Sequence, residues 1–131
     1  MRKPGFVFVE LYTQRLVEYA SFFQQVCAFT LVREEPGFSE LRSGTAMVLL
    51  NADKELPQGH PFQGRLAGTT HGVGVEIGIV VSDLAAAREA ALHFPGWTVS
   101  DIRQQEWGLT DFRVTTPDGY YLRLTDPPAD V

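Results

Sequence analysis

Cysteine is nearly absent. Cys27 is the single thiol among 131 residues, so no disulfide can form within the chain. No apolar run approaches the roughly 18 residues of a membrane span, and the stretch before Glu10 is too short for a signal-peptide core. With a lone thiol, that places the expectation in a reducing compartment, the cytoplasm. A basic stripe is missing as well. Lys and Arg total 11 against 16 Asp and Glu, for a net charge of −5, and Arg2-Lys3 is the one adjacent basic pair. No nucleic-acid footprint is therefore expected. Histidine is scarce: His60, His71 and His93 lack the spacing of a metal pair and are expected on the surface or in loops. What remains is ordinary globular material, 44% apolar and 21% charged. The length suits one domain over residues 1–131 with no staple required.

Phe6 to Thr13 is rich in β-branched and aromatic residues and predicts a strand. Leu16, Ala20, Phe23 and Cys27 then recur at helical spacing, predicting a helix from about Arg15 to Val26. Residues 30–34, 38–43 and 45–51 predict a meander of three short strands. Residues 53–72 hold Pro57, Gly59, Pro61, Gly64, Gly68 and Gly72 and form the one linker candidate. The second half repeats the order. Val73 to Val81 predicts a strand, and Ser82-Asp83 offers a helix N-cap ahead of the Leu84, Ala87, Ala91 and Phe94 face. Residues 97–105, 107–116 and 120–126 predict three more strands, with Pro117-Asp118-Gly119 as a tight turn.

The order is βαβββ twice, over about 5–52 and 73–126. A shift of 68 residues places Val9 on Ile77, Leu11 on Ile79, Thr13 on Val81 and Leu16 on Leu84. At the last strands the shift grows to 75, with Gly44 on Gly119, Met47 on Leu122 and Leu49 on Leu124. Period, order and turn placement together predict an internal repeat.

VVSDLAAAREA, TPDGYYLRLTDP and VEYASFFQQVCAFTLVRE resemble the strand-Asp-Leu-helix entry, the terminal Asp-Gly-strand signature and the first helix of the vicinal oxygen chelate superfamily. That superfamily includes glyoxalase I, extradiol dioxygenases and the bleomycin- and fosfomycin-resistance proteins. The resemblance implies an α+β fold: two half-open barrels with helices outside and a central cavity, in a homodimer. Strand alternation then assigns faces. Val7, Val9, Leu11 and Thr13 are expected under the helix, with Phe6, Phe8, Glu10 and Tyr12 facing the cavity. Ile77, Ile79, Val81, Leu122 and Leu124 are expected outward, with Glu76, Tyr121 and Arg123 inward.

Metal-dependent members place ligands at positions that carry over to Phe8, Val48, Glu76 and Arg123. Phenylalanine and valine donate nothing, and arginine repels a cation, so neither metal nor cofactor is expected. Glu10 with Glu76 lacks the further oxygen ligands that a hard cation needs. The glycines at 72, 74 and 78 lie before or inside a strand, which excludes a dinucleotide fingerprint. Cys27 falls on the helix's apolar face and reads as a buried structural thiol, and no serine shows an elbow or triad partner.

Glu10, Glu76 and Arg123 are the charged candidates. Glu76 and Arg123 are expected to pair with each other in place of a metal bridge, leaving Glu10 to meet a ligand. Phe8, Tyr12, Phe62, Trp107 and Tyr121 are expected to supply apolar walls suited to a cationic or aromatic guest. The resemblance implies a small-molecule binding protein, for an antibiotic-like compound or a metabolite, acting by sequestration. Two enzyme readings stand beside it: a metal-dependent glyoxalase or dioxygenase, and a metal-free isomerase or cyclase with Glu10 or Glu76 as general base. A third is a domain with a structural or partner-binding role.

Overall fold

The computed structural model describes residues 2–127. The chain is α+β. Its first half runs β1 (Val9–Thr13), α1 (Leu16–Gln25), β2 (Thr30–Glu35), β3 (Phe38–Ser43) and β4 (Ala46–Ala52). A 3-10 turn at Asp53–Glu55 and a long loop follow. The second half runs β5 (Glu76–Val80), α2 (Leu84–Ala91), β6 (Thr98–Val99), β7 (Arg103–Gln104), β8 (Thr110–Thr115) and β9 (Tyr121–Thr125). Two mixed, open sheets result, ordered β1-β4-β3-β2 and β5-β9-β8-β6, with β7 also paired to β8. In each, the strand that precedes the helix lies parallel to the last strand, and the remaining pairs are antiparallel. One compact unit holds the chain up to Gln24 together with Ala28–Arg65. The other holds Gln25–Cys27 and the chain from Leu66 on. Among the described residues no helix is long and apolar enough to cross a membrane.

In the first unit the strand-to-helix turn is made by Thr13, whose Oγ1 accepts from the Arg15 backbone N–H at 2.9 Å. The buried face of α1 is wider than the predicted stripe: Tyr19 and Phe22 are fully buried beside Ala20 and Phe23, while Val17 on the opposite side is exposed. Each such aromatic contributes about 1.5–3 kcal/mol by leaving water. Phe29 N–H closes back onto Phe23 O at 2.9 Å over Ala28, which sits at φ 60°. This is the helix stop that usually takes glycine. On the sheet, Leu11, Leu41 and Leu50 form a buried row.

In the second unit Asp83, not Ser82, caps α2. Its Oδ1 accepts from the Ala86 N–H at 3.0 Å. Ala87 and Ala91 are buried, and α2 packs over β8. Phe112, Val114, Leu122 and Leu124 are fully buried along one sheet face. Cys27 is buried, and desolvation pushes its thiol up to about 12.

Two expectations are corrected. First, β1 and β5 start later than predicted. Phe6 N–H bonds Lys3 O and Val75 N–H bonds Gly72 O, each at 3.0 Å, so turns occupy those residues. Val7 is 75% exposed and packs under no helix, and Val73 is also exposed. Second, the strand predicted over 97–105 is broken into β6 and β7. The Ser100 hydroxyl takes the Arg113 N–H at 2.8 Å, and Arg88 Nε donates to Ser100 O at 2.8 Å, so a side chain replaces the ladder between the pieces. His71 lies in the loop ahead of β5, one of the two places expected for it. It is buried, with its ring edge-on to Tyr120 at 5.6 Å.

The repeat holds with one change of register. Val9 pairs with Val48 and Leu11 with Leu50, whereas Ile77 pairs with Leu122 and Ile79 with Leu124. Val48 therefore matches Leu122, a shift of 74 (122 − 48) rather than 75. Gly44 and Gly119 are not equivalent positions. Gly44 opens a turn with Thr45 between Ser43 and Ala46, while Gly119 closes the longer Pro117-Asp118-Gly119 turn. A one-residue slip exchanges sheet faces. Val48 thus lies on the same sheet face as Leu41 and Leu50, and Leu49, paired with Glu10, is the counterpart of Arg123.

Candidate functional site

Each sheet has a second face, and each carries a distinct set of polar and aromatic groups. In the first unit β1 presents Glu10 and Tyr12 beside Asn51 of β4. The Asn51 amide Nδ2 donates to Glu10 Oε1 at 3.1 Å. The loop after β4 returns His60 and Phe62 to this place. The Phe62 backbone N–H donates to His60 Nδ1 at 3.0 Å. A ring accepting at Nδ1 carries its proton on Nε2, and Nε2 faces the Tyr12 hydroxyl at 3.5 Å. Phe62 stands edge-on to Tyr12 at 5.3 Å and to His60 at 5.0 Å, the arrangement that ring quadrupoles favour. Burial, and then the charge of Glu10, raise the Tyr12 pKa. Glu10, Tyr12, Asn51, Leu56, Pro57 and His60 contribute to a recess of about 270 Å³.

Among the described residues, Asn51 is the one hydrogen-bond donor to Glu10, and no cationic side chain lies within ion-pair distance of it. Phe8 stands apart from the recess, under the Arg2 guanidinium at 5.0 Å. Further along the sheet Glu40 is buried between Arg42 at 2.7 Å and Arg33 at 3.5 Å. The Arg42 hydrogen bond outweighs burial and lowers the Glu40 pKa.

The second unit places its charges in a network. Arg113 of β8 donates through Nη1 to Glu76 Oε1 at 2.6 Å and to the Tyr121 hydroxyl at 3.2 Å. Its Nε and Nη2 each reach an Asp111 oxygen at 3.4 Å. Asp111 is buried and also accepts from Gln105 Nε2 at 2.9 Å. Burial works against the Arg113 charge, but bonds to Asp111 and Tyr121 outweigh it and raise the pKa. Arg123 lies directly opposite Arg113 across β8–β9 and opposite Gly78 across β5–β9. Its Nε is 4.0 Å from Glu76 Oε1, inside ion-pair range and outside hydrogen-bond range. Its guanidinium carbon is 6.0 Å from the Trp107 ring centroid.

The expected Glu76–Arg123 ion pair is present, at 4.0 Å. The two are near each other, but the close partner of Glu76 is Arg113, which the sequence reading did not single out, and the same holds for Asp111. Alternation in TDFRVT carried that signal, because Phe112 and Val114 point to the core and leave Asp111 and Arg113 on the face of Arg123. No comparable signal marked His60, whose place over Tyr12 is set by a loop. The predicted Glu10, Tyr12 and Phe62 come together in the first unit, and Glu76, Tyr121, Trp107 and Arg123 in the second.

These residues do not fit a divalent metal. Phe8 is covered by a cation, Leu49 and not Val48 occupies the second position and donates nothing, and Glu76 is engaged by Arg113 with Arg123 beside it. Among the described residues no three His, Cys, Asp or Glu side chains cluster as a metal site.

No protein-family model matches the sequence, and no curated protein is significantly similar to it. Solved structures are. A glyoxalase/bleomycin resistance protein/dioxygenase family enzyme from Burkholderia phytofirmans is 18% identical with a TM-score of 0.71, covering 91% of this chain and 95% of that one. A glyoxalase-related enzyme from Fulvimarina pelagi is 16% identical with a TM-score of 0.72, covering 93% and 88%. A bleomycin resistance determinant encoded on the transposon Tn5 is 19% identical with a TM-score of 0.61, covering 92% and 95%. The chain thus has the vicinal oxygen chelate fold.

Proposed function

We propose that this protein binds a small cationic, planar molecule and acts by holding it, without metal or cofactor. The observation that carries the reading is Glu10. Its carboxylate is countered by no cationic side chain among the described residues, and it stands in a recess lined by the Tyr12 and His60 rings, which Phe62 packs against edge-on. Carboxylate and ring faces together attract a positive charge on a flat body. At about 270 Å³ the recess suits one ring-and-cation portion of a ligand rather than a whole drug-sized molecule. Among the described residues the metal-dependent alternative finds no donor set. The proposal includes a symmetric homodimer, supported by the unpaired outer edges of β1 and β2.

Calorimetric titration tests the binding, with benzamidine as a minimal aromatic cation and bleomycin as a large one. Glu10→Gln removes the charge and keeps the shape, and it should weaken benzamidine at least tenfold, about 1.4 kcal/mol. Unchanged affinity in Glu10→Gln would overturn the reading. Sedimentation equilibrium checks the dimer, and a monomeric mass at micromolar concentration would refute it.

A further inference from the structure

We infer that the second sheet carries a separate anion site, centred on Arg123 and suited to a planar carboxylate. The polar face of this sheet holds Glu76, Asp111, Arg103, Arg113 and Arg123, two acids against three arginines. The acids are not shared evenly. Arg113 takes Glu76 at 2.6 Å and both Asp111 oxygens at 3.4 Å. Arg123 is left with the 4.0 Å approach to Glu76, and it donates no hydrogen bond within the described residues. Its Nε is buried from solvent without an acceptor. A desolvated donor on a charged group is costly to leave unmade, and here a like charge lies directly across the strand pair. An oxyanion would relieve both costs, and a carboxylate fits the planar fork of a guanidinium in bidentate geometry.

The surroundings narrow the guest. Gly78, opposite Arg123, offers no side chain, and a Cβ there would sit 3.6 Å from Nη2, so the strand beneath the guanidinium is bare. Trp107 is 57% exposed and lies on the guanidinium at 6.0 Å, and Tyr121 is 38% exposed. Trp107 supplies a flat apolar flank beside the charge, so a benzoate-like anion gains ring contact that inorganic phosphate cannot. This site is independent of Glu10 and prefers the opposite charge.

Benzoate titration followed by tryptophan fluorescence tests the inference, with inorganic phosphate and benzamidine as the comparison probes. Trp97 is buried and Trp107 exposed, so Trp107→Phe should remove the benzoate-dependent signal. Benzoate should bind at millimolar concentration or below and more tightly than phosphate. Arg123→Gln should weaken it at least tenfold, and Arg123→Lys less, since a point charge survives without the fork. Glu10→Gln should leave benzoate binding unchanged, which separates this site from the one proposed above. Equal binding of benzoate by Arg123→Gln, no binding by the intact protein, or stronger quenching by benzamidine than by benzoate would each overturn the inference. Should Arg123→Gln not fold, calorimetry of benzoate on Arg123→Lys and on Trp107→Phe decides between the same outcomes.

Discussion

Arg113 and Arg123 of the second sheet should respond very differently to removal of their charge. Arg113→Met keeps a long apolar stem and deletes the guanidinium. The Asp111 side chain is 2% exposed and would retain only Gln105 among the donors described here. Nε and Nη2 each stand 3.4 Å from an Asp111 oxygen, so at an effective dielectric near 20 the gross attraction is about 5 kcal/mol. Relief of Arg113's own desolvation reduces that loss. Stranding a buried charge typically costs about 3–5 kcal/mol. Glu76, at 42% exposure, adds at most about 1 kcal/mol. The expected total is about 3 kcal/mol, or roughly a 10 °C drop in Tm for a chain of this size. Arg123→Met removes a pair at 4.0 Å with both side chains more than one-third exposed, and it also removes the repulsion from Arg113. Its cost should stay within about 1 kcal/mol of zero. Urea unfolding followed by circular dichroism measures both. Adding Asp111→Asn to Arg113→Met should recover part of the loss, because the two residues are coupled. The reasoning is refuted if Arg113→Met proves as mild as Arg123→Met, or if the cycle with Asp111→Asn is additive.

Three further outcomes follow from the backbone and the buried thiol. Ala28→Gly should stabilise the fold by about 0.5–1 kcal/mol, since the left-handed φ of 60° strains alanine by more than glycine loses in chain entropy; thermal melting reads it. Gly119→Ala should be severe, because φ is 111° and the new Cβ would strike Thr70 Cγ2 and sit 3.2 Å from the His71 backbone, so a Tm unchanged within error would contradict the turn geometry. Cys27 should react with a thiol reagent only at the rate of unfolding. Its pKa rises from 9.0 to about 12 on folding, so between those values the unfolded state has lost a proton that the folded state keeps. Stability should therefore fall as pH rises through that window, and Cys27→Ala should remove that contribution.

Much of the architecture was legible because it rests on periodicity. Leu11, Ile79, Leu122 and Leu124 lie where alternation puts them, and Asp83 precedes a helix as its type requires. The later starts of β1 and β5 were not legible. Phe6–Phe8 and Val73–Val75 have strand composition, yet turns through Lys3–Phe6 and Gly72–Val75 claim their backbone groups. Composition cannot reveal which N–H a neighbouring carbonyl has already taken. The break between β6 and β7 has the same origin, because a serine hydroxyl competes for a ladder donor only once the partner strand is beside it.

Register governed how far the site itself could be read. Anchoring the repeat on Gly44 and Gly119 moved Val48 to the wrong face, because similar turn residues occur at different places in turns of different length. The corrected pairing aligns Glu40 with Arg113, since Leu41 pairs with Val48 and Val114 with Leu122. The two units thus hold charges of opposite sign at equivalent positions, each flanked by its counterions: Arg42 and Arg33 in one, Asp111 and Glu76 in the other. Each central charge is compensated locally, whereas Glu10 in the first sheet and Arg123 in the second have no full partner among the described residues. Sequence alone could name all four groups. Which were already matched depended on cross-strand register, and the unmatched ones are the groups left to meet a ligand.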